Sequence, residues 1–177
     1  MGHLTYRHWD NWVDAIPQPF VADFDGKKIG EGKNILENTE FESPMRPWGG
    51  MEQIAWSPDS KSIAYTCRKK VGKEYAFSTN SDIYLYRLED NATINLSEGM
   101  MGYDTCPRFS KSGRYLAWLS MEHDGYESDM NRIFIMDMQT GEKKHLTSEW
   151  DYAADNIEWS PNEKAIYFTA PYLGCTP

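Results

Sequence analysis

Cysteine is scarce in this 177-residue chain, and the three present, Cys67, Cys106 and Cys175, show no paired spacing. An odd, scattered count excludes a disulfide framework and a zinc-type ligand set. Cys67 and Cys106 stand in strand-like surroundings and read as small buried hydrophobes. The four histidines, at 3, 8, 123 and 145, are dispersed as well, so no metal and no other cofactor is expected. No apolar run approaches the roughly 18 residues of a membrane span, and no membrane partner is expected. The first thirty residues hold no secretion signal, because "YRHWDNWVD" and "DFDGKK" interrupt any apolar core; an exported parent protein would carry its signal upstream. Basic residues are not massed. The net charge is −9, and the densest positive cluster is "CRKKVGK", Cys67 to Lys73, which reads as a solvated hairpin loop. A nucleic-acid footprint needs clustered Lys and Arg to displace phosphate counterions, so nucleic acid is not expected as a partner. No window reads as an amphipathic helix of several turns.

Aromatic residues, in contrast, are abundant at 14%, with seven Trp and eleven Tyr. Disordered chains are poor in aromatics, and this length suffices for one domain with a sizeable core. Gly, Pro, Asn, Asp and Ser punctuate the chain throughout, which favours short strands joined by turns.

One phrase occurs three times without a gap: "WSPDSKSIAYT" from Trp56, "FSKSGRYLAWL" from Phe109 and "WSPNEKAIYFT" from Trp159. A second pair, "SDIYLYRLEDNATINLSEG" from Ser81 and "NRIFIMDMQTGEKKHLTSE" from Asn131, aligns at an offset of 50. The opening phrases are offset by 53 and then 50, and the difference falls in one intervening loop. A unit of about fifty residues therefore recurs, with its length variation confined to a loop, as in tandem structural repeats. Each unit predicts four strands. The first ends on the aromatic, a tight turn follows, and the second and third are apolar runs. A polar turn ("EDNAT" or "QTGEK") then leads to a short fourth strand.

The predicted fold is all-β: a partial β-propeller of four-stranded antiparallel blades. A β-sandwich is the alternative, but it would not require the same turn phrase at one fixed position per unit. Residues 20–36 resemble the outer half of a blade, with Asp23 falling on Asp137. The expected division is a partial blade and lead-in segment over 1–50, blades over 51–100 and 101–150, and the first half of a further blade over 151–177. Trp56, Phe109 and Trp159 mark the structural repeat, and the first and last of these are expected to be largely inaccessible, packed between blades.

These phrases look like the WD-type repeats of TolB-like propellers, most of all those in the N-terminal propeller of prolyl oligopeptidase family serine peptidases. "YRHWDNWVD" (Tyr6 to Asp14) and "ESPMRPWGGMEQIAWSP" (Glu42 to Pro58) are similar to the dipeptidyl-peptidase and acylaminoacyl-peptidase branch, in particular the dipeptidyl peptidase V type. The resemblance covers essentially the whole chain. It implies a propeller that gates and recognises peptide substrates above a C-terminal α/β-hydrolase domain, which would be its partner. A bacterial parent, periplasmic or cytoplasmic, fits it; the sequence leaves the compartment open. A non-enzymatic TolB-like binding propeller is the second reading.

No Gly-x-Ser-x-Gly nucleophile elbow, Gly-rich phosphate loop or HExxH motif occurs in the sequence. No catalytic residue is assigned, and the chain alone is expected to hydrolyse nothing. The connection from Leu36 to Trp56 runs 20 residues, against 13 from Leu96 to Phe109 and from Leu146 to Trp159. It holds Glu40 and Glu42. In the resembled dipeptidyl peptidases, propeller glutamates hold the substrate's free amino terminus, which makes these two the candidate substrate-binding residues. The plainer reading is a pair of solvated loop acids, and no Glu-Glu pair is present. The acidic stretch "MEHDGYESD", Met121 to Asp129, reads as an exposed loop rather than a calcium site. Asn91 and Asn95 fit glycosylation sequons, which matter only in a eukaryotic secretory protein. Because half-blades leave apolar faces and open strand edges, a homodimer of the chain is a possible assembly.

Overall fold

The computed structural model of the chain describes residues 7–8, 11–12, 15–126 and 128–172. Most of Tyr6–Asp14, together with Glu127 and Cys175, lies outside them. Fourteen strands are present among the described residues: β1 (Arg7–His8), β2 (Asn11–Trp12), β3 (Phe20–Val21), β4 (Lys33–Asn34), β5 (Ile54–Trp56), β6 (Ser62–Cys67), β7 (Asp82–Arg87), β8 (Thr93–Asn95), β9 (Asp104–Phe109), β10 (Tyr115–Ser120), β11 (Arg132–Asp137), β12 (Lys143–His145), β13 (Asp155–Trp159) and β14 (Ile166–Thr169). β5-β6-β7-β8 and β9-β10-β11-β12 are four-stranded antiparallel sheets in sequence order. β3-β4 and β13-β14 are two-stranded, as is the hairpin β1-β2. The two full sheets each have the four antiparallel strands that the repeat predicts for a blade.

The repeated turn phrase closes each first hairpin by one mechanism. The Ser after the aromatic accepts a hydrogen bond on its hydroxyl from the backbone N–H five residues on: Ser62 to Ser57 (2.9 Å), Tyr115 to Ser110 (3.1 Å) and Ala165 to Ser160 (2.9 Å). Its own N–H returns a bond to that later residue's carbonyl. The fifth residue of the phrase takes a left-handed conformation in all three turns, at Ser60, Gly113 and Glu163. Only glycine adopts it without strain. The outer turns repeat likewise, with positive φ at Asn91 and Gly141.

The cores lie between blades, not within them. β6 and β10 are buried on both faces, and their alternation sends Tyr65 and Trp118 one way and Ala64 and Ala117 the other. Tyr65 packs with Ile35, Leu36 and Tyr84, against the β3-β4 unit. Trp118 packs with Ala64, Ile83 and Leu96 of the preceding blade. Ala117, Leu119 and Ile133 pack with Ile157 and half-buried Trp159 and Phe168. Neighbouring units are also tied by backbone bonds at equivalent places, Asp104 N–H to Ser81 O (3.1 Å) and Ala154 N–H to Asn131 O (2.9 Å).

Two expectations need correction. Trp56 is 51% exposed, not inaccessible. Its counterpart Trp159 stacks on Tyr115 and donates its indole N–H to Arg108 O (3.0 Å), both from the preceding blade. The unit before Trp56 contributes only the outer pair β3-β4 among the described residues, so no such strand lies over the ring. Trp159 is itself only half-buried, short of the inaccessibility expected of it, whereas the stretch after Cys67 is solvated as expected, with Lys69, Val71, Gly72 and Lys73 exposed. A five-residue helix, α1 (Lys73–Phe77), interrupts it, and the Lys69 ammonium lies 3.8 Å from the centre of the Tyr84 ring.

Candidate functional site

In an antiparallel blade, the links between successive blades and the links between second and third strands emerge at the same end of the sheet. Residues 37–53, 68–81, 96–103, 121–131 and 146–154 therefore share one face. The short turns at 57–61, 88–92, 110–114, 138–142 and 160–164 share the other. The linker face carries Trp48, Met51, Val71, Phe77, Met101, Tyr126, Trp150 and Tyr152 as exposed large apolar side chains; those short turns carry none, and the longer β3-β4 connection on their side carries Phe24 and Ile29. Exposed apolar side chains are thus more numerous on the linker face.

Glu42 sits on that face, half-buried, and forms a backbone bridge with Arg68. Its Oε2 accepts a short hydrogen bond from the Tyr75 hydroxyl on α1. The Arg68 guanidinium lies 4.5 Å from the centre of the Tyr75 ring and donates to the Tyr75 carbonyl (3.1 Å). Among the described residues no hydrogen bond reaches Glu42 Oε1, so the carboxylate is oriented through one oxygen. Glu40, two residues earlier, is exposed and takes part in no such arrangement. The linker around them is anchored by its own backbone. Met45 N–H donates to Gln53 Oε1 (2.7 Å), Gln53 Nε2 donates to the Tyr103 hydroxyl (2.9 Å), and Ser43 N–H donates to Pro17 O (3.1 Å).

The acidic stretch at 121–129 is the expected exposed loop, with residues 122–126 and Ser128 at the surface, and two of the acids within it are tied down. Asp124 accepts from the Ser78 hydroxyl (2.7 Å) and from the N–H groups of Thr79 (2.8 Å) and Asn80 (3.0 Å), with Lys70 3.8 Å away. It thereby joins the long loops of the two full blades. Desolvation opposes ionisation here, but the Ser78 hydroxyl and the two N–H groups hold the Asp124 carboxyl below its ordinary range. Asp129 accepts from the N–H groups of Glu122 and His123 and pairs with the His123 ring (3.0 Å) and Arg132 (3.4 Å). Its carboxyl is also pulled well down, against desolvation, first by the Glu122 N–H. No group of three or more His, Cys, Asp or Glu among the described residues could hold a metal ion.

A different acid is buried between the blades. Asp104, at the start of β9, has no exposed surface and no hydrogen-bond partner for either carboxyl oxygen among the described residues. Ser120, Ser97 and the Trp118 indole lie about it without closing a bond of good geometry, and the Trp118 N–H is itself unpaired. Burial pushes the Asp104 carboxyl up to about 7. Burial likewise pushes the Cys67 thiol up to about 12, which makes it inert rather than nucleophilic.

Tyr75, Arg68 and Asp124 are absent from the sequence-derived candidates. The signal that could have found them was the coincidence of two irregular insertions, the long linker 37–53 and the loop 68–81, at one end of one blade.

No family model matches the chain. Curated proteins do. It is 53% identical over 167 residues to the dipeptidyl-peptidase 5 of Porphyromonas gingivalis, covering 94% of this chain and 24% of that protein. It is 54% identical over 133 residues to the dipeptidyl-peptidase 5 of Porphyromonas endodontalis, covering 75% and 19%. The dipeptidyl-peptidase 5 of Schizosaccharomyces pombe is 31% identical, with 89% of this chain covered and 24% of the relative. Among solved structures, TolB from Acinetobacter baumannii superposes with a TM-score of 0.55 at 23% identity, over 89% of this chain and 33% of that one. The tricorn protease gives 0.52 at 16% identity, over 80% and 12%. These two likenesses bear on the fold. The chain is thus a stretch of β-propeller homologous, along nearly its whole length, to the dipeptidyl-peptidase 5 proteins, of whose length it spans about a quarter.

Proposed function

We propose that this propeller recognises and gates peptide substrates for a serine exopeptidase of dipeptidyl or acylaminoacyl type, whose catalytic groups lie on an α/β-hydrolase domain outside this sequence. The name shared by the relatives supports the reaction class. The observation that carries the role of this chain is the half-buried Glu42 carboxylate, oriented by Tyr75 on the apolar-studded face. Such a carboxylate suits the ammonium of an unblocked peptide, because a charge-assisted hydrogen bond is strongest where water is partly excluded. Exposed Glu40 belongs to the rim of the same face and contributes long-range attraction. Trp48 and Phe77 supply exposed apolar surface on the same face.

The test uses the full-length peptidase that contains this propeller. A hydrogen bond to a charged group is worth about 1.5–3 kcal/mol, so Glu42→Gln is expected to raise KM for unblocked dipeptidyl substrates about 10- to 100-fold. N-acylated substrates should change little, and Glu40→Gln should shift KM by less than about threefold. Equal KM values for wild type and Glu42→Gln on unblocked substrates would remove Glu42 from the role. A full-length protein with no hydrolase activity would favour a purely binding, TolB-like propeller.

A further inference from the structure

The segment that carries Tyr75 has little of its own to hold it in place. Helix α1 is five residues long, no side chain caps its N-terminus, and none of its residues is buried. The first turn of a helix fixes several residues for a single hydrogen bond, so a helix this short has no stability by itself. Its placement depends on ties from outside.

Two side chains supply them, and they divide the backbone between them. Arg68, where the insertion leaves β6, donates to the carbonyls of Tyr75 (3.1 Å) and Thr79 (3.4 Å). Asp124, from the next blade, takes the donors at the exit of the helix. Its Oδ1 accepts from the Ser78 hydroxyl (2.7 Å) and from the N–H groups of Thr79 (2.8 Å) and Asn80 (3.0 Å). Gly125 N–H returns a bond to the Thr79 hydroxyl (2.8 Å), and Lys70 Nζ closes the cluster on Ser78 Oγ (2.5 Å). Arg68 ties the insertion back to its own blade, whereas Asp124 ties it to the neighbouring one.

Asp124 stands on a firm base. In the same loop Asp129 gathers the N–H groups of Glu122 (2.7 Å), His123 (2.9 Å) and Met130 (2.7 Å). It also pairs with Arg132, which reaches Glu122 in turn (2.9 Å). A loop braced in this way presents the Asp124 carboxylate at a fixed place, and the weaker insertion closes onto it.

We propose that Asp124 is a positioning residue for Glu42: it latches the exit of α1 to the neighbouring blade and so keeps the Tyr75 hydroxyl on the Glu42 carboxylate. Three separate stretches then set this one acid, the linker 37–53, the insertion 68–81 and the loop 121–131. The consequence for substrate rests on the reading of Glu42 as the ammonium-binding residue; the latch itself does not.

The test uses the full-length peptidase that contains this propeller, with thermal melting as the control for the fold. Asp124→Ala removes every acceptor of the latch, and hydrogen–deuterium exchange over residues 73–80 is expected to speed up at least about tenfold. Asp124→Asn can place its carbonyl oxygen where Oδ1 stands and should restore most of the protection. Asp124→Ala is expected to raise KM for unblocked dipeptidyl substrates about 3- to 10-fold with kcat unchanged, and Asp124→Asn less than about twofold. In a Tyr75→Phe background Asp124→Ala should add nothing further, since it acts through that hydroxyl. If Asp124→Ala melts too early to compare, Ser78→Ala removes one donor of the latch and should move exchange and KM in the same direction by less. Unchanged exchange over 73–80 overturns the proposal, and so does an equal KM increase with and without the Tyr75 hydroxyl. Faster exchange at an unaltered KM supports the latch and counts against the substrate role of Glu42.

Discussion

The acids of this chain show how one residue type is placed in opposite electrostatic settings. Asp124 and Asp129 collect backbone N–H donors on the linker face and are held ionised. Asp104 lies between the blades without a partner and is held protonated up to about pH 7. The raised value gives a definite sign. Below about pH 4 the carboxyl is protonated in both folded and unfolded chains, and its burial carries no ionisation cost. Between about 4 and 7 the unfolded chain releases the proton while the folded one keeps it, so stability falls as pH rises; above that window the loss levels off. A carboxyl that releases its proton near 4 in the unfolded chain and at about 7 in the folded one accounts for at most about 4 kcal/mol across this window. Asp104→Asn should remove the dependence: urea unfolding at pH 4.5 and pH 8 is expected to show a loss of about 2–4 kcal/mol in wild type that the variant lacks. Asp124 and Asp129 do not mask it, because their depressed values place their own titration below this window. Parallel stability profiles for the two proteins would show that hydroxyls or water satisfy the carboxylate after all.

At the level of the element, the recurring Ser of the turn phrase is a hydrogen-bond acceptor at a fixed address. Ser110 is fully buried, and its hydroxyl receives the Tyr115 N–H. Ser110→Ala is therefore expected to cost about 1–2 kcal/mol in chemical denaturation, and Ser57→Ala, at a half-exposed turn, about half as much. Equal and negligible costs would make the phrase a relic of repetition rather than a structural device. Strand content was legible in the sequence because the turns carry local chemistry at constant spacing and the strands between them are apolar runs. Helix α1 was not, since five residues in a polar loop show no helical periodicity. The site was legible only in part. Glu42 stood out through the length of its linker, but its partner Tyr75 is 33 residues away on another insertion, and only strand topology brings the two together. The exposure of Trp56 was illegible for a related reason: a repeat motif predicts an equivalent position, whereas burial depends on which strands the preceding unit supplies.

The molecule as a whole is a stack in which each of the two full blades presents an aromatic backward and an alanine forward from the same second strand. Trp118 packs in one core with Ala64 of the preceding blade, and half-buried Phe168 packs against the core that contains Ala117. A large residue meets a small one at these two interfaces, so volume there is conserved between units rather than within them. That arrangement predicts coupling between residues 54 positions apart. Ala64→Leu inserts bulk under an indole that has no exposed surface, and overpacking of this kind costs about 1–3 kcal/mol. Trp118→Leu empties part of the same space and should cost about 2–4 kcal/mol, somewhat less than truncation to Ala. If the two side chains share one volume, the added methyl groups at 64 fill part of the space vacated at 118. The double variant is then expected to be at least about 1 kcal/mol more stable than the sum of the single losses, measured by urea unfolding in a double-mutant cycle. Trp56, half-exposed and without a counterpart beneath it, supplies the contrast: Trp56→Leu combined with Ala64→Leu should be additive. Additivity in the Trp118 pair as well would mean that the blades are held by backbone ties such as Asp104 to Ser81, with the aromatic layer packing each sheet independently.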